Sequence, residues 1–158
     1  MSIERVRAYF KTLGIEERIR EFDVSSATVE LAAKAVGVEG ARIAKTLSFK
    51  LGDRVLLIAC AGDAKVDNRR YKDRFGGKAS MLSHDEAAAL VGHAVGGVCP
   101  FAVNEGVDVY LDESLKRFAT VFPACGSSNS AIELTIPELE ANCDHFQGWV
   151  DVCKIPEE

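Results

Sequence analysis

The chain has 158 residues, of which 47% are hydrophobic and 27% are charged, a composition typical of a folded globular protein. No apolar run approaches the roughly 18 residues of a membrane-spanning helix, so we expect no membrane contact. The formal net charge of −5 excludes a protein coated with nucleic acid over its whole surface, although it permits a local contact. We expect residues 1–158 to form one domain.

The patterns of the first half alternate between helices and strands. Apolar residues at three- and four-residue steps predict helices, and alternating or continuous apolar runs predict strands. In chain order, we expect a helix over 2–13, a short strand over 18–24, a helix over 28–36, a hairpin of strands 44–50 and 55–60, and a basic helix over 67–75.

The second half is predicted in the same way. In chain order, we expect a short strand over 78–82, a helix over 83–91, strands over 98–103, 107–112, 118–124 and 132–136, a helix that starts near 137, and a last strand over 149–153. The strands are joined by hairpins or single helices without a regular βαβ rhythm. The fold class predicted is therefore α+β, with a mixed or largely antiparallel sheet.

The cysteines and histidines show no metal-binding pattern. The five cysteines are widely spaced, odd in number and without a C-x-x-C pair, and the three histidines lack ligand spacing. This usage predicts reduced thiols in a cytoplasmic protein. We expect neither a metal nor a cofactor.

A glycine-rich loop lies between the predicted helix 83–91 and the next apolar run. Gly96 and Gly97 leave the backbone bare, and Pro100 stiffens the turn. Such a loop can direct fixed N–H groups at a carbonyl or an oxyanion. The alternative is a plain helix-to-strand connection that needed glycine.

Lys45 lies on an unexpected face of its strand. The two-residue period places Lys45 with Leu47 and Phe49, which should face the core. A lysine there is costly unless its ammonium reaches water or an anion. Either it extends to solvent at the strand end, or it lines a pocket.

Basic residues concentrate in one segment, 65–78. It holds six basic and two acidic residues and thus carries +4, which leaves −9 on the remainder of the chain. Such a segment is either a solvated helix face or a contact for an anionic partner.

The signatures of several enzyme classes are missing. The sequence has no G-x-S-x-G elbow, no phosphate-binding loop and no G-x-G-x-x-G motif. Cys99 could be a thiol nucleophile, but a cysteine at the start of an apolar run is more typical of a core. His84 and His93 are more typical of surface or capping positions. What is left is a pocket with loop amides, Lys45 and a small polar loop, which suits an anionic ligand that contains a carbonyl.

Four segments, in this order, resemble the YbaK / ProX family, the free-standing relatives of the editing domain inserted in bacterial prolyl-tRNA synthetase. They are Thr28-Val29-Glu30-Leu31-Ala32-Ala33, Ala44-Lys45-Thr46-Leu47, the loop of Val91-Gly92 and Gly96-Gly97-Val98-Cys99-Pro100-Phe101, and Gly126-Ser127-Ser128-Asn129-Ser130-Ala131-Ile132-Glu133-Leu134. The resemblance covers nearly the whole chain. It implies a partly barrel-like sheet surrounded by helices.

The resemblance also implies a function, namely hydrolysis in trans of the ester in mischarged aminoacyl-tRNA, with tRNA-Pro carrying a small non-cognate amino acid as substrate. It implies that Lys45 lies near the terminal adenosine, whose own 2′-hydroxyl assists the attacking water. The family's loop, with Gly96, Gly97 and Pro100, orients the aminoacyl carbonyl. The remaining residues implied to bind substrate are Thr46, Val98, Cys99, Gly126, Ser127, Ser128 and Asn129.

The partners implied are the acceptor end of aminoacyl-tRNA and an aminoacyl-tRNA synthetase, with segment 65–78 as a contact for the acceptor stem. The block Cys125-Gly126-Ser127-Ser128-Asn129-Ser130 departs from both the cysteinyl-specific and the alanyl-specific branches, so the amino acid removed stays open. Two other functions also stay open: a non-catalytic adaptor that binds tRNA or a synthetase, and a thiol enzyme that uses Cys99.

Overall fold

The predicted hairpin lies at the centre of the fold. In this computed structural model, which describes residues 2–156, β2 (Ile43–Leu51) and β3 (Arg54–Ala61) pair antiparallel along their length. β3 is buried from Leu56 onward, as expected for an apolar strand covered on both faces.

Among the described residues, eight further strands extend the hairpin or form short ladders beside it. They are β1 (Arg20–Glu21), β4 (Lys65–Val66), β5 (Val107–Asp112), β6 (Thr120–Pro123), β7 (Ser130–Ala131), β8 (Leu134–Thr135), β9 (Phe146–Val150) and β10 (Cys153–Lys154). The main sheet has the order β8-β6-β2-β3-β5-β9, and β1-β7 and β10-β4 form two-stranded antiparallel ladders. In the main sheet, β2–β6, β3–β5 and β5–β9 are parallel, whereas β2–β3 and β6–β8 are antiparallel. The sheet is therefore mixed, as expected.

In the part of the chain that the structure describes, five α-helices flank this curled, half-barrel sheet. They are α1 (Ser2–Leu13), α2 (Val29–Val36), α3 (Asn68–Phe75), α4 (His84–Glu86), which continues as a π-helical segment Ala87–Val91, and α5 (Ile136–Asn142). The side chains of four residues cap helix starts by accepting backbone N–H bonds: Thr28, Asp67, Ser83 and Thr135. The α+β prediction is confirmed. Within residues 2–156, no helix is long and apolar enough to cross a membrane.

Some predicted strands differ from the structure. The strand expected over 78–82 is a single bridge between Met81 and Phe49. The segment 98–103 is irregular, because Pro100 lacks an N–H and Ala102 adopts a φ of 50°.

The ends of the sheet also depart from expectation. The strand expected over 18–24 shortens to β1, since Glu16–Arg18 forms a 3₁₀ turn. The last strand divides into β9 and β10, because the amide of Val152 donates to the Asp112 carboxylate instead of a neighbouring strand.

Asp112 is a buried carboxylate that joins distant parts of the chain. It is 1% exposed, and its two oxygens accept the amides of Ser114 at 2.9 Å and Val152 at 3.0 Å. It therefore fixes the turn after β5 to the C-terminal segment.

We expect Asp112→Ala to lower the free energy of unfolding by about 2–3 kcal/mol, because two buried amides lose their acceptor. Urea denaturation measures the change. Asp73→Ala, at an exposed position on α3, is the control and should stay within about 0.5 kcal/mol of wild type. Equal stability of the two variants would contradict the assigned role of Asp112.

Candidate functional site

A cavity of about 360 Å³ opens beside β2. Its wall combines the start of α2, strand β2, the glycine loop and β7. The lining residues are Ser26, Ala27, Thr28, Val29, Ala32, Ile43, Ala44, Lys45, Thr46, Leu47, Ser48, Met81, Leu82, His84, Val95, Gly96, Val98, Phe122, Ala124, Ser130 and Ala131. No Asp or Glu is among them.

The structure separates the predicted site residues into two groups. Those that line the cavity are Lys45, Thr46, Gly96 and Val98. Those that are not part of its lining are Gly97, Cys99, Pro100, Gly126, Ser127, Ser128 and Asn129. Of the second group, Gly97 and residues 126–129 connect the loops that surround the cavity.

Lys45 is half-buried at the cavity wall. Its Nζ donates to the carbonyl of Gly62 at 3.3 Å and to the carbonyl of Ala64. An ammonium has three N–H donors. The described residues accept two of them, so the third is available to a ligand. Asp63, in the same turn, pairs with Arg117 at 2.6 Å, and this hydrogen bond is the main cause of its lowered pKa.

The turn that accepts the hydrogen bonds of Lys45 requires glycine at position 62. A Cβ on Gly62 would lie 2.1 Å from the carbonyl oxygen of Gly40 and 2.8 Å from a methyl group of Val29. Any larger residue would displace this turn. Gly62 thus keeps both carbonyl acceptors in reach of Lys45.

The glycine loop packs directly on the polar loop 126–129. A Cβ on Gly97 would lie 2.6 Å from both Gly126 C and Ser127 N, so the two loops meet backbone to backbone. The amide of Gly97 donates to Ala94 O at 2.9 Å, so the expectation of a free donor is wrong there. The amide of Gly96 has no acceptor among the described residues, and Gly96 lines the cavity.

The polar loop holds the segment before α2. The amide of Phe22 donates to Asn129 O at 2.8 Å, and Asn129 Nδ2 returns a bond to Phe22 O at 3.1 Å. The amide of Ser26 donates to Ser128 O at 2.6 Å. These bonds place residues 26–29 against the cavity.

Two hydroxyl groups on the cavity wall are buried without a partner. Neither Ser26 Oγ nor Thr46 Oγ1 has a hydrogen-bond partner within the described chain. Leaving such groups unpaired costs about 1–3 kcal/mol each. Ser26 does not cap α2, since the capping side chain there is that of Thr28.

His93 and Cys99 are core residues behind the loop. His93 is fully buried, its Nε2 lies 2.8 Å from Phe101 O, and burial lowers its pKa. Burial also raises the pKa of the Cys99 thiol to about 12. Cys99 is therefore protonated near neutral pH, which argues against a thiolate nucleophile.

The sequence of the cavity region matches a known protein family. The family model described as an aminoacyl-tRNA editing domain matches residues 23–141, well over half of the chain. The chain belongs to this family. The match contains every segment of the cavity wall, from the loop before α2 to β7.

Individual relatives agree with that assignment. The editing domain is 54% identical over 155 residues to the uncharacterized protein YwhH of Bacillus subtilis (strain 168), covering 98% of each chain. A crystal structure of a candidate trans-editing enzyme for prolyl-tRNA synthetase aligns with a TM-score of 0.86 and 30% identity, over 97% of each chain. A proline–tRNA ligase of Bacillus cereus (strain AH820) is 22% identical over 102 residues, which is 64% of this chain but 18% of the ligase.

We expect Gly97→Ala to destabilise the editing domain by about 2–3 kcal/mol, since the new methyl group meets backbone atoms that cannot rotate away. Urea denaturation tests this. Gly106→Ala is the control: its φ of 83° costs about 1 kcal/mol for a side chain, but no heavy atom lies within 4 Å of the added Cβ. A Gly97→Ala variant no less stable than this control would contradict the close contact.

Cys99 is expected to resist alkylation. With a pKa near 12 rather than 9, it carries about a thousand-fold less thiolate at pH 8 than an ordinary thiol. Iodoacetamide labelling followed by peptide mass spectrometry should modify it only after unfolding in urea. Because the folded-state pKa lies above the unfolded value, the stability that this thiol contributes is fully present below pH 9 and lost as pH rises toward 12. Rapid labelling of the folded protein at pH 8 would contradict this environment.

Proposed function

We propose that this editing domain is a trans-acting hydrolase that deacylates mischarged aminoacyl-tRNA, with the aminoacyl-adenosine end in the cavity beside β2. The observation that carries the proposal is the wall itself. It presents the Lys45 ammonium and a free amide at Gly96 in a cavity whose described lining holds no carboxylate.

The reaction needs few groups from the protein. The Gly96 amide would donate to the ester carbonyl and stabilise the charge that develops there. Lys45 would hold the ribose or phosphate of the terminal nucleotide with its remaining N–H. Water adds to the carbonyl, the bond to the ribose oxygen breaks, and a proton passes to that oxygen, which yields free amino acid and uncharged tRNA.

The attacking water then needs a base, and the described lining offers only His84 besides Lys45 as a basic side chain. His84 is exposed at the start of α4. We therefore assign assistance of the water to the 2′-hydroxyl of the terminal adenosine, as the family resemblance implies. A substrate that brings its own hydroxyl suits a site whose protein groups position and polarise.

The substrate proposed is tRNA-Pro that carries a small non-cognate amino acid. The similarity to a candidate trans-editing enzyme for prolyl-tRNA synthetase and to proline–tRNA ligases supports this choice. One methylene group alters binding by only about 1–3 kcal/mol, so several small amino acids are expected to be accepted. This function places the protein in the cytoplasm, and contact with a synthetase stays a prediction.

The test is deacylation of tRNA-Pro charged with Ala, Cys, Ser, Thr, 2-aminobutyrate or Pro. Wild type should hydrolyse one or two non-prolyl esters rapidly, and Lys45→Ala should lose at least about 100-fold in turnover while it stays folded. Lys50→Ala is the matched control, because Lys50 is an exposed residue of the same strand that pairs with Glu86.

Two results would contradict the proposal. If no ester is hydrolysed faster than in buffer while charged tRNA still binds, the protein is an adaptor that retains the cavity. If Lys45→Ala and Lys50→Ala behave alike, Lys45 does not position the substrate.

A further inference from the structure

A second cavity, a groove of about 720 Å³, lies where β4 and β10 pair. Its charged lining consists of Lys65, Arg70, Arg117, Lys154, Glu113 and Asp151. Basic residues outnumber acidic ones there, although the chain as a whole carries −5. The groove is therefore a local basic site on an acidic protein.

Most charges of the groove are already paired. Arg117 binds Asp63 at 2.6 Å, Arg70 lies 3.4 Å from Asp151, and Glu113 pairs with a lysine outside the groove at 2.8 Å. Lys65 and Lys154 have no ion pair within the described chain. They are the groove's unbalanced charges.

These two lysines face each other directly. In the antiparallel β4–β10 ladder, Lys65 is the register partner of Lys154, so both side chains leave the same face. Like charges at such positions destabilise a ladder unless an anion lies between them. The carboxylate of Asp67, whose pKa is lowered mainly by the Arg70 amide and further by Lys154, is already engaged in capping α3.

One turn, residues 62–64, contacts both the proposed active site and the groove. The carbonyls of Gly62 and Ala64 hold Lys45 at the first cavity, while Asp63 between them binds Arg117 of the groove. Lys65 follows Ala64 directly. A strand whose terminal nucleotide reaches Lys45 would therefore meet the paired lysines next.

We propose that Lys65 and Lys154 bind backbone phosphates of the tRNA acceptor strand as it leaves the active site. This proposal rests on the proposed function, because it takes the direction of the strand from the cavity. Lysine ammonium groups are point charges suited to phosphate, and such contacts position RNA without reading its sequence. The predicted basic segment 65–78 is thereby divided: Lys65 and Arg70 line the groove, whereas Arg69 and Lys72 are exposed on α3 outside its lining.

The experiment compares Lys65→Ala/Lys154→Ala with the matched control Arg69→Ala/Lys72→Ala, which removes the same charge from the same region. The affinity for an uncharged tRNA-Pro transcript is measured from 50 to 300 mM salt. We expect the groove variant to bind roughly ten-fold more weakly at low salt and to lower the slope of log K against log salt by roughly 1.5. The control should resemble wild type.

The kinetics of deacylation test the same proposal independently. With a charged tRNA that wild type hydrolyses, the groove variant should raise KM and leave kcat unchanged, whereas Lys45→Ala lowers kcat. A groove variant with wild-type affinity and salt slope overturns the proposal and leaves the hydrolase proposal intact. If wild type hydrolyses nothing, yet the groove variant alone loses transcript binding, the two lysines bind RNA phosphates, but the hydrolase proposal fails and the strand direction taken from it is overturned.

A small phosphate compound is the alternative ligand for Lys65 and Lys154. Inorganic pyrophosphate is the probe, with its binding measured by calorimetry. If pyrophosphate binds wild type but not the groove variant while transcript affinity is unchanged, the groove holds a small phosphate compound and the RNA assignment is overturned.

Discussion

The contact between Gly62 and the backbone of Gly40 is the constraint on which the site depends. Because no side chain separates them, the turn 62–64 lies close enough to β2 for two carbonyls to hold the Lys45 ammonium. Hydrogen bonds to a charged group are worth about 1.5–3 kcal/mol each, so this lysine is fixed before any ligand arrives. The same turn pairs with Arg117, and a single backbone contact thus orients both the cavity and the groove.

The local structure followed from the sequence where short-range physics decides it. The helices capped by Thr28, Ser83 and Thr135 begin near the predicted positions, and the central hairpin follows from its apolar runs. The sheet order did not follow. The parallel pairing of Ile43 with Phe122 joins residues about eighty positions apart, and no periodicity states which strands will be neighbours.

The sequence likewise predicted some features of the site and missed others. Lys45 was identifiable as a site residue because a charge on a core face needs a polar partner. Two backbone carbonyls are its partners in the structure. Ser26 gave no such signal, since its hydroxyl becomes buried only when residues 22–26 bind the loop at 128–129. Gly97 attracted attention as a bare amide, yet the structure uses its missing side chain for packing. The strand expected after it failed at Pro100 and Ala102 for reasons of backbone geometry.

The loops around the cavity are joined through main-chain atoms. Gly97 contacts the backbone at 126–127, and Phe22 and Ser26 bond to backbone carbonyls of the same loop. Side chains on the inner wall, such as Ser26 and Thr46, therefore do not join these loops. The loops can keep their conformation while these wall residues are substituted. Related chains can therefore discriminate among different amino acids through substitutions at a few wall positions.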